Sequence, residues 1–155
     1  MKIEFWVIGK TNEKYLIEGI KIFEKRLQHY CKYTMVYLKD VKPGQTNNET
    51  VEREAELVLA KLSSSDYLVL LDELGDTMTS VKFSAFIEKL ALQSTRKIVF
   101  LVAGAFGASA KLKKRSNRML SFSKMTFSHQ MIRLFFVEQL YRAYTILRNE
   151  KYHNL

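Results

Sequence analysis

The spacing of hydrophobic positions changes repeatedly along this chain. KIEFWVI (residues 2–8) is almost continuously apolar and stops at Gly9, which predicts a strand. Residues 12–30 then place Tyr15, Leu16, Ile20, Phe23 and Leu27 on one side of a helix, with charges opposite. YTMVYLK (33–39) carries the β-branched and aromatic residues of a second strand. KPGQTNN (42–48) sets the one proline among turn formers and predicts a loop. Asn48 or Thr50 can cap the helix that follows over 50–63, whose first turn is rich in glutamate.

In the second half the strands lose their polar face. DYLVLLDE (66–73) and RKIVFLVAG (96–104) are short continuous apolar runs, as in strands buried on both sides. Between them Ser80 is placed to cap a helix over 81–93. A short basic helix over 109–116, a brief strand at RMLSFS (118–123) and a long helix over 128–149 complete the series. Tyr152 and His153 fall on the polar KYHNL tail, where chains usually fray. This order predicts one α/β domain over residues 1–155, with a mostly parallel sheet and helices on both faces.

Composition adds little until charge is located. Hydrophobic residues make up 47% and charged residues 26%, which excludes a disordered chain. The single cysteine, Cys31, rules out an internal disulfide, and its place near a helix end predicts packing rather than nucleophilic chemistry. The longest apolar run, IVFLVAGAFGASA, falls short of the roughly 20 residues that cross a bilayer. MKIEFWVIGK is too short in apolar residues for a leader, so a soluble, cytoplasmic protein away from membranes is expected. Three histidines and one cysteine show no ligand spacing, so no metal site is expected. The net charge of +9 is uneven: residues 111–155 hold 10 basic and two acidic side chains. A one-sided excess of that kind is the footprint of a polyanion binder.

In a parallel sheet, ligands bind where strand C-termini meet loops and helix N-termini. Three such ends stand out: LLDELGD (70–76), LVAGAFGAS (101–109) and LSFSKMT (120–126). The second lacks both GxxxxGK[ST] and GxGxxG spacing, which argues against a nucleoside triphosphate or dinucleotide. Gly104 and Gly107 still permit close approach to backbone, and a tight turn without a ligand fits them equally. At the third, Ser121, Ser123, Lys124, Thr126, Ser128 and His129 crowd the mouth of a helix that is apolar on nearly every side from Met131 to Val137. A cap from Ser128 or Thr126 explains one hydroxyl and no more. All-round apolarity predicts burial against the sheet on one side and a second subunit on another. Glu138 and Arg142, at i and i+4, are spaced to pair.

Taken together, LDELG (71–75), FLVAGAFG (100–107) and LSFSKMTFSHQMIRLFFVEQLYRAYTILRNEKYH (120–153) resemble one family. It is the bacterial large-subunit ribosomal RNA pseudouridine methyltransferases, minimal members of the SPOUT, or trefoil-knot, class. The likeness runs from MKIEFWVIGK to the terminal YH. It implies a C-terminal trefoil knot that binds S-adenosylmethionine, a homodimer, and methylation of N3 of a pseudouridine in large-subunit (23S) ribosomal RNA on the ribosome. By motif, the resemblance puts cofactor contacts at Leu71, at Ala103 and Gly104, and along Leu120, Ser121, Phe122, Ser123, Lys124 and Met125. Members usually carry two consecutive glycines where this chain has Ala103-Gly104; the added methyl tightens the fit but leaves the backbone groups available.

The resemblance also sets the tail at the partner subunit's cofactor site. That makes His153 the catalytic candidate, taking the N3 proton or orienting the target. Tyr152 is assigned to RNA, and Arg142 and the basic residues Lys111, Lys113, Lys114, Arg115 and Arg118 to RNA phosphates or packing rather than chemistry. His129 either joins the cofactor loop or is a polar residue at a helix start. Two other functions share the fold. One is a non-catalytic RNA- or ribosome-binding protein, for which Ala103 speaks. The other is a transfer-RNA methyltransferase, disfavoured because no extra RNA-binding domain is present.

Overall fold

The computed structural model describes residues 1–154. Five strands, β1 (Lys2–Ile8), β2 (Lys32–Leu38), β3 (Tyr67–Thr77), β4 (Lys97–Val102) and β5 (Arg118–Ser121), alternate with five helices. The helices are α1 (Lys14–Leu27), α2 (Asn47–Lys61), α3 (Ser80–Leu92), α4 (Ala110–Arg115) and α5 (Met131–Leu147). The strands form one sheet in the order β2-β1-β4-β3-β5, every pair parallel.

Because successive strand residues point to opposite faces, the apolar runs feed two cores. Ile3, Phe5 and Val7 of β1 pack with Ile98, Phe100 and Val102 of β4 beneath α1, α3 and α5. Trp6, Leu68, Leu70, Val99 and Leu101 pack against Ala55 and Val58 of α2 and Leu112 of α4. The result is a three-layer α/β/α arrangement, as the alternation of elements predicts.

Several boundaries move. Thr46, not Asn48 or Thr50, caps α2, accepting from the Glu49 amide at 3.2 Å. Thr50 is buried, and its hydroxyl accepts from the Gly44 amide instead. Thr79, not Ser80, caps α3. β3 runs past Glu73 to Thr77, because Leu120 pairs with both Leu71 and Asp76 while the residues between them bulge. Gly75 is needed there: a Cβ would lie 2.6 Å from the Leu120 nitrogen. α5 starts at Met131, with the Ser128 hydroxyl accepting from the Met131 amide at 3.0 Å. Within the chain one side of it is buried, at Phe136, Val137, Leu140 and Ala143, while Phe135 is 39% exposed. The tail does not fray at Tyr152 and His153, which are half-buried and bonded to α5. Among the described residues, no helix is long and apolar enough to cross a membrane. Nor does any group of three or more His, Cys, Asp or Glu gather to hold a metal.

Candidate functional site

The bulged middle of β3 (residues 71–74) and the C-terminal ends of β4 and β5 open on a cavity of about 460 Å³, a size typical of small-molecule sites. Leu71, Val102 and Leu120 line it from the strands, Gly104 to Ala108 from one loop, and Ile132 from the first turn of α5. Leu71, Ala103, Gly104, Leu120, Ser121, Phe122, Ser123 and Met125, all named from sequence, are brought together here. Lys124 is placed apart from the others. It sits in a tight turn closed by the Met125 amide donating to the Ser123 hydroxyl at 2.9 Å, is exposed, and does not line the cavity.

The crowded hydroxyls now have a role. Ser121 Oγ donates to the Ser123 carbonyl at 2.7 Å, and Thr126 Oγ1 donates to Glu73 Oε2 at 2.6 Å. With the Ser123 and Ser128 bonds, they hold the loop's shape and tie it to the β3 extension. The loop's far end is fastened to the β1–α1 turn. Gln130 accepts from the Asn12 amide and donates to the Lys10 carbonyl, both at 3.0 Å. Arg133, fully buried, donates to the carbonyls of Ile8 (2.7 Å), Gly9 (3.1 Å) and His129 (3.0 Å) and to Thr11 Oγ1 (3.1 Å). Sequence reading passed over Arg133 as one more position in an apolar stretch.

Two titratable groups flank this frame. His129 lines the cavity, and burial, helped by the Arg133 charge, pushes its pKa below the ordinary 6.5, with Asp40 opposing. Glu54 of α2 is 8% exposed and accepts from the Gly104 amide at 3.3 Å. Burial raises its pKa; the Gly104 hydrogen bond opposes this and Asp40 reinforces it. A Cβ at position 104 would run into the Glu54 carboxylate, so any other residue there must push that side chain aside. Glu54 was also missed, although it stands in the Val51–Ala55–Val58 stripe of α2, where an acid is out of place.

The basic residues are dispersed in role. Lys111 pairs with Glu52 at 2.9 Å, and Lys113 pairs with Asp72 at 3.3 Å on the cavity edge. Arg115 donates to the carbonyls of Ser63 and Asp66, both at 3.0 Å, and so braces the start of β3. Arg118 pairs with Asp76 at 3.2 Å, and Lys114 is exposed.

A second polar cluster lies on the later turns of α5. Arg142 donates to Glu138 Oε1 through Nη2 (2.6 Å) and Nε (3.1 Å), and its plane lies over the Tyr152 ring, 4.7 Å from the centroid. Tyr152 donates to the same Glu138 oxygen at 3.0 Å; burial, then that carboxylate, raise the phenol's pKa. Arg142 Nη1 meets His153 Nδ1 at 3.3 Å. A guanidinium can only donate, so Nδ1 accepts and the neutral ring carries its proton on Nε2. Arg142 is ten residues beyond Ile132, about 15 Å along the helix. None of Glu138, Arg142, Tyr152 or His153 lines the cavity.

A family model described as "Predicted SPOUT methyltransferase" matches residues 1–153. Relatives named "Ribosomal RNA large subunit methyltransferase H" are similar along the whole length. That of Parabacteroides distasonis is 47% identical over 99% of this chain and 99% of its own. That of Christiangramia forsetii is 45% identical with the same coverage of both. That of Cytophaga hutchinsonii is 43% identical over 99% of this chain and all of its own.

Proposed function

The chain belongs to the SPOUT methyltransferase family and is a methyl-transferring enzyme, and from that premise we propose that it carries the methyl group of S-adenosylmethionine to N3 of a pseudouridine in large-subunit ribosomal RNA, as a cytoplasmic homodimer. The cavity at the β3 bulge and the ends of β4 and β5 is the observation that carries this reading. Its lining of Leu71, Leu120 and Ile132 beside serine oxygens and the Gly104 turn suits a ligand with an apolar body and polar edges. When bound, S-adenosylmethionine supplies a methyl group on a positively charged sulfur. Leu71, Ala103, Gly104, Leu120 to Ser123 and Met125 hold it, with Glu54, Arg133 and the loop hydroxyls fixing those residues.

The split between cavity and polar cluster supports the homodimer. With about 15 Å of helix between Ile132 and Arg142, a second copy supplies His153, Arg142 and Tyr152 to each cavity. N3 must lose its proton before methylation, and placement of the acceptor supplies much of the rate. With Nδ1 engaged by Arg142, His153 presents Nε2–H. It therefore acts as a donor to the carbonyl oxygen over which the developing charge spreads, while the N3 proton leaves to water. The basic residues Lys111, Lys113, Lys114 and Arg118 contact RNA phosphates. A trefoil knot, with the C-terminal part of the chain threaded through a loop, belongs to the same reading.

The test is transfer of labelled methyl to ribosomes lacking this modification, with nucleoside analysis. Labelled N3-methylpseudouridine in large-subunit RNA is the expected product. Bound S-adenosylmethionine without that product would overturn the acceptor; no binding would overturn the donor.

A further inference from the structure

The β3 extension that walls the cavity has an outer side. There a groove of about 570 Å³ runs between the extension, β5 and α3. It is lined by Lys82 and Lys89 of α3 and by Arg118, against one carboxylate, Asp76. The two lysines are exposed and stand two helical turns apart, so they share a face. The Arg118 guanidinium rests over the Phe86 ring at 5.3 Å and gives one N–H to Asp76 at 3.2 Å. Its Nε is buried without a hydrogen-bond partner among the described residues. With Nε closed off, the terminal nitrogens of Arg118, a side chain that lines the groove, are the donors that can reach a phosphate oxygen.

Cations continue from here to the cavity. A neighbouring hollow is lined by Arg118, Asn117 and Lys113, and Lys113 also lines the cavity itself. We propose that the Lys82–Lys89–Arg118 groove binds a backbone phosphate of the same RNA that presents the target nucleotide, so that the strand tracks from α3 over the β3 extension to the cavity mouth. Asp76 fixes the guanidinium plane, Phe86 supports it, and the two lysines supply the compensating charge. This inference rests on the ribosomal-RNA reading above.

The variant is Lys82→Gln with Lys89→Gln, which keeps helix propensity at two exposed positions. It is compared with wild type for binding and methylation of large ribosomal subunits lacking the modification, across a salt series. KM should rise on the order of tenfold, and the slope of log affinity against log salt should fall by about 1 to 2. Turnover at saturation, S-adenosylmethionine affinity and the thermal midpoint should stay at wild-type values. If the wild type binds and methylates the subunits and the double variant matches its KM and salt slope, the groove is overturned alone. If the wild type neither binds nor methylates them, the acceptor assignment falls and the groove falls with it.

Discussion

At the N-terminal end of α5, polar side chains are tied into the rest of the chain. Ser121, Ser123, Thr126 and Ser128 hydrogen-bond within their own loop or to β3, and Arg133 is sealed against oxygens from β1 and the β1–α1 turn. At the C-terminal end, Glu138, Arg142, Tyr152 and His153 bond to one another on a half-buried surface. Both groups are pre-organised, yet the first completes a cavity and the second faces outward. Order within a cluster therefore says how it works, and the surroundings say where. The first is a finished wall, whereas the second lines no part of the cavity.

Subunit mixing tests that contrast with the largest effect. His153→Ala should lower transfer by at least about 100-fold with donor affinity unchanged. Gly104→Val, whose side chain runs into Glu54, should abolish donor binding. Mixed dimers of the two each keep one complete site, so a random mixture should regain about a quarter of wild-type activity. No recovery despite demonstrated mixed dimers would place both halves of the site in one chain.

A pair of arginines sharpens it further. Arg133→Leu strands the Ile8 and Gly9 carbonyls in the interior and should lower stability in urea by roughly 2–4 kcal/mol. Arg142→Ala, at a pair whose Glu138 keeps its bond from Tyr152, should cost only about 1–2 kcal/mol while crippling transfer. Equal losses of stability would erase the distinction between frame and site.

The smallest effect is pH dependence at the frame. His129 has its folded pKa below 6.5, so its contribution is complete above that pH and is lost as pH falls through the folded value. Glu54, shifted upward, works in the opposite sense: its stabilising share is complete below pH 4.5 and is lost as pH rises through its folded value. Wild-type unfolding free energy should therefore decline by up to about 1 kcal/mol between pH 7 and 5.5 on the His129 account. A His129→Asn variant should show a flatter profile over that range; an unchanged slope would remove His129 as its source.

The sheet and both cores were legible because continuous apolar runs have few other homes in a chain of this size. The caps were harder, since Thr46, Asn48 and Thr50 offer similar chemistry and only the backbone path into α2 selects among them. Lys124 shows that a contiguous motif need not make a contiguous lining, because a tight turn sets it off the cavity wall. Arg133 and Glu54 were opaque for a different reason. Their partners are main-chain atoms 125 and 50 residues distant, so no local pattern announces them beyond a charge in an apolar stripe. Arg115 looked like an RNA contact by charge and is anchored to carbonyls at the start of β3.

The pairing of Leu120 with both Leu71 and Asp76 has a consequence in time. Chains are synthesised and begin to fold from the N-terminus, and β5 and α5 are the last of the ten elements to emerge. Until β5 enters, β3 is an uncovered edge, and the cavity lacks the side formed by Leu120, Ser121 and Ile132. The cavity is therefore a property of the completed chain, and one that has exposed only the residues before 118 holds four strands of sheet and an unfinished wall.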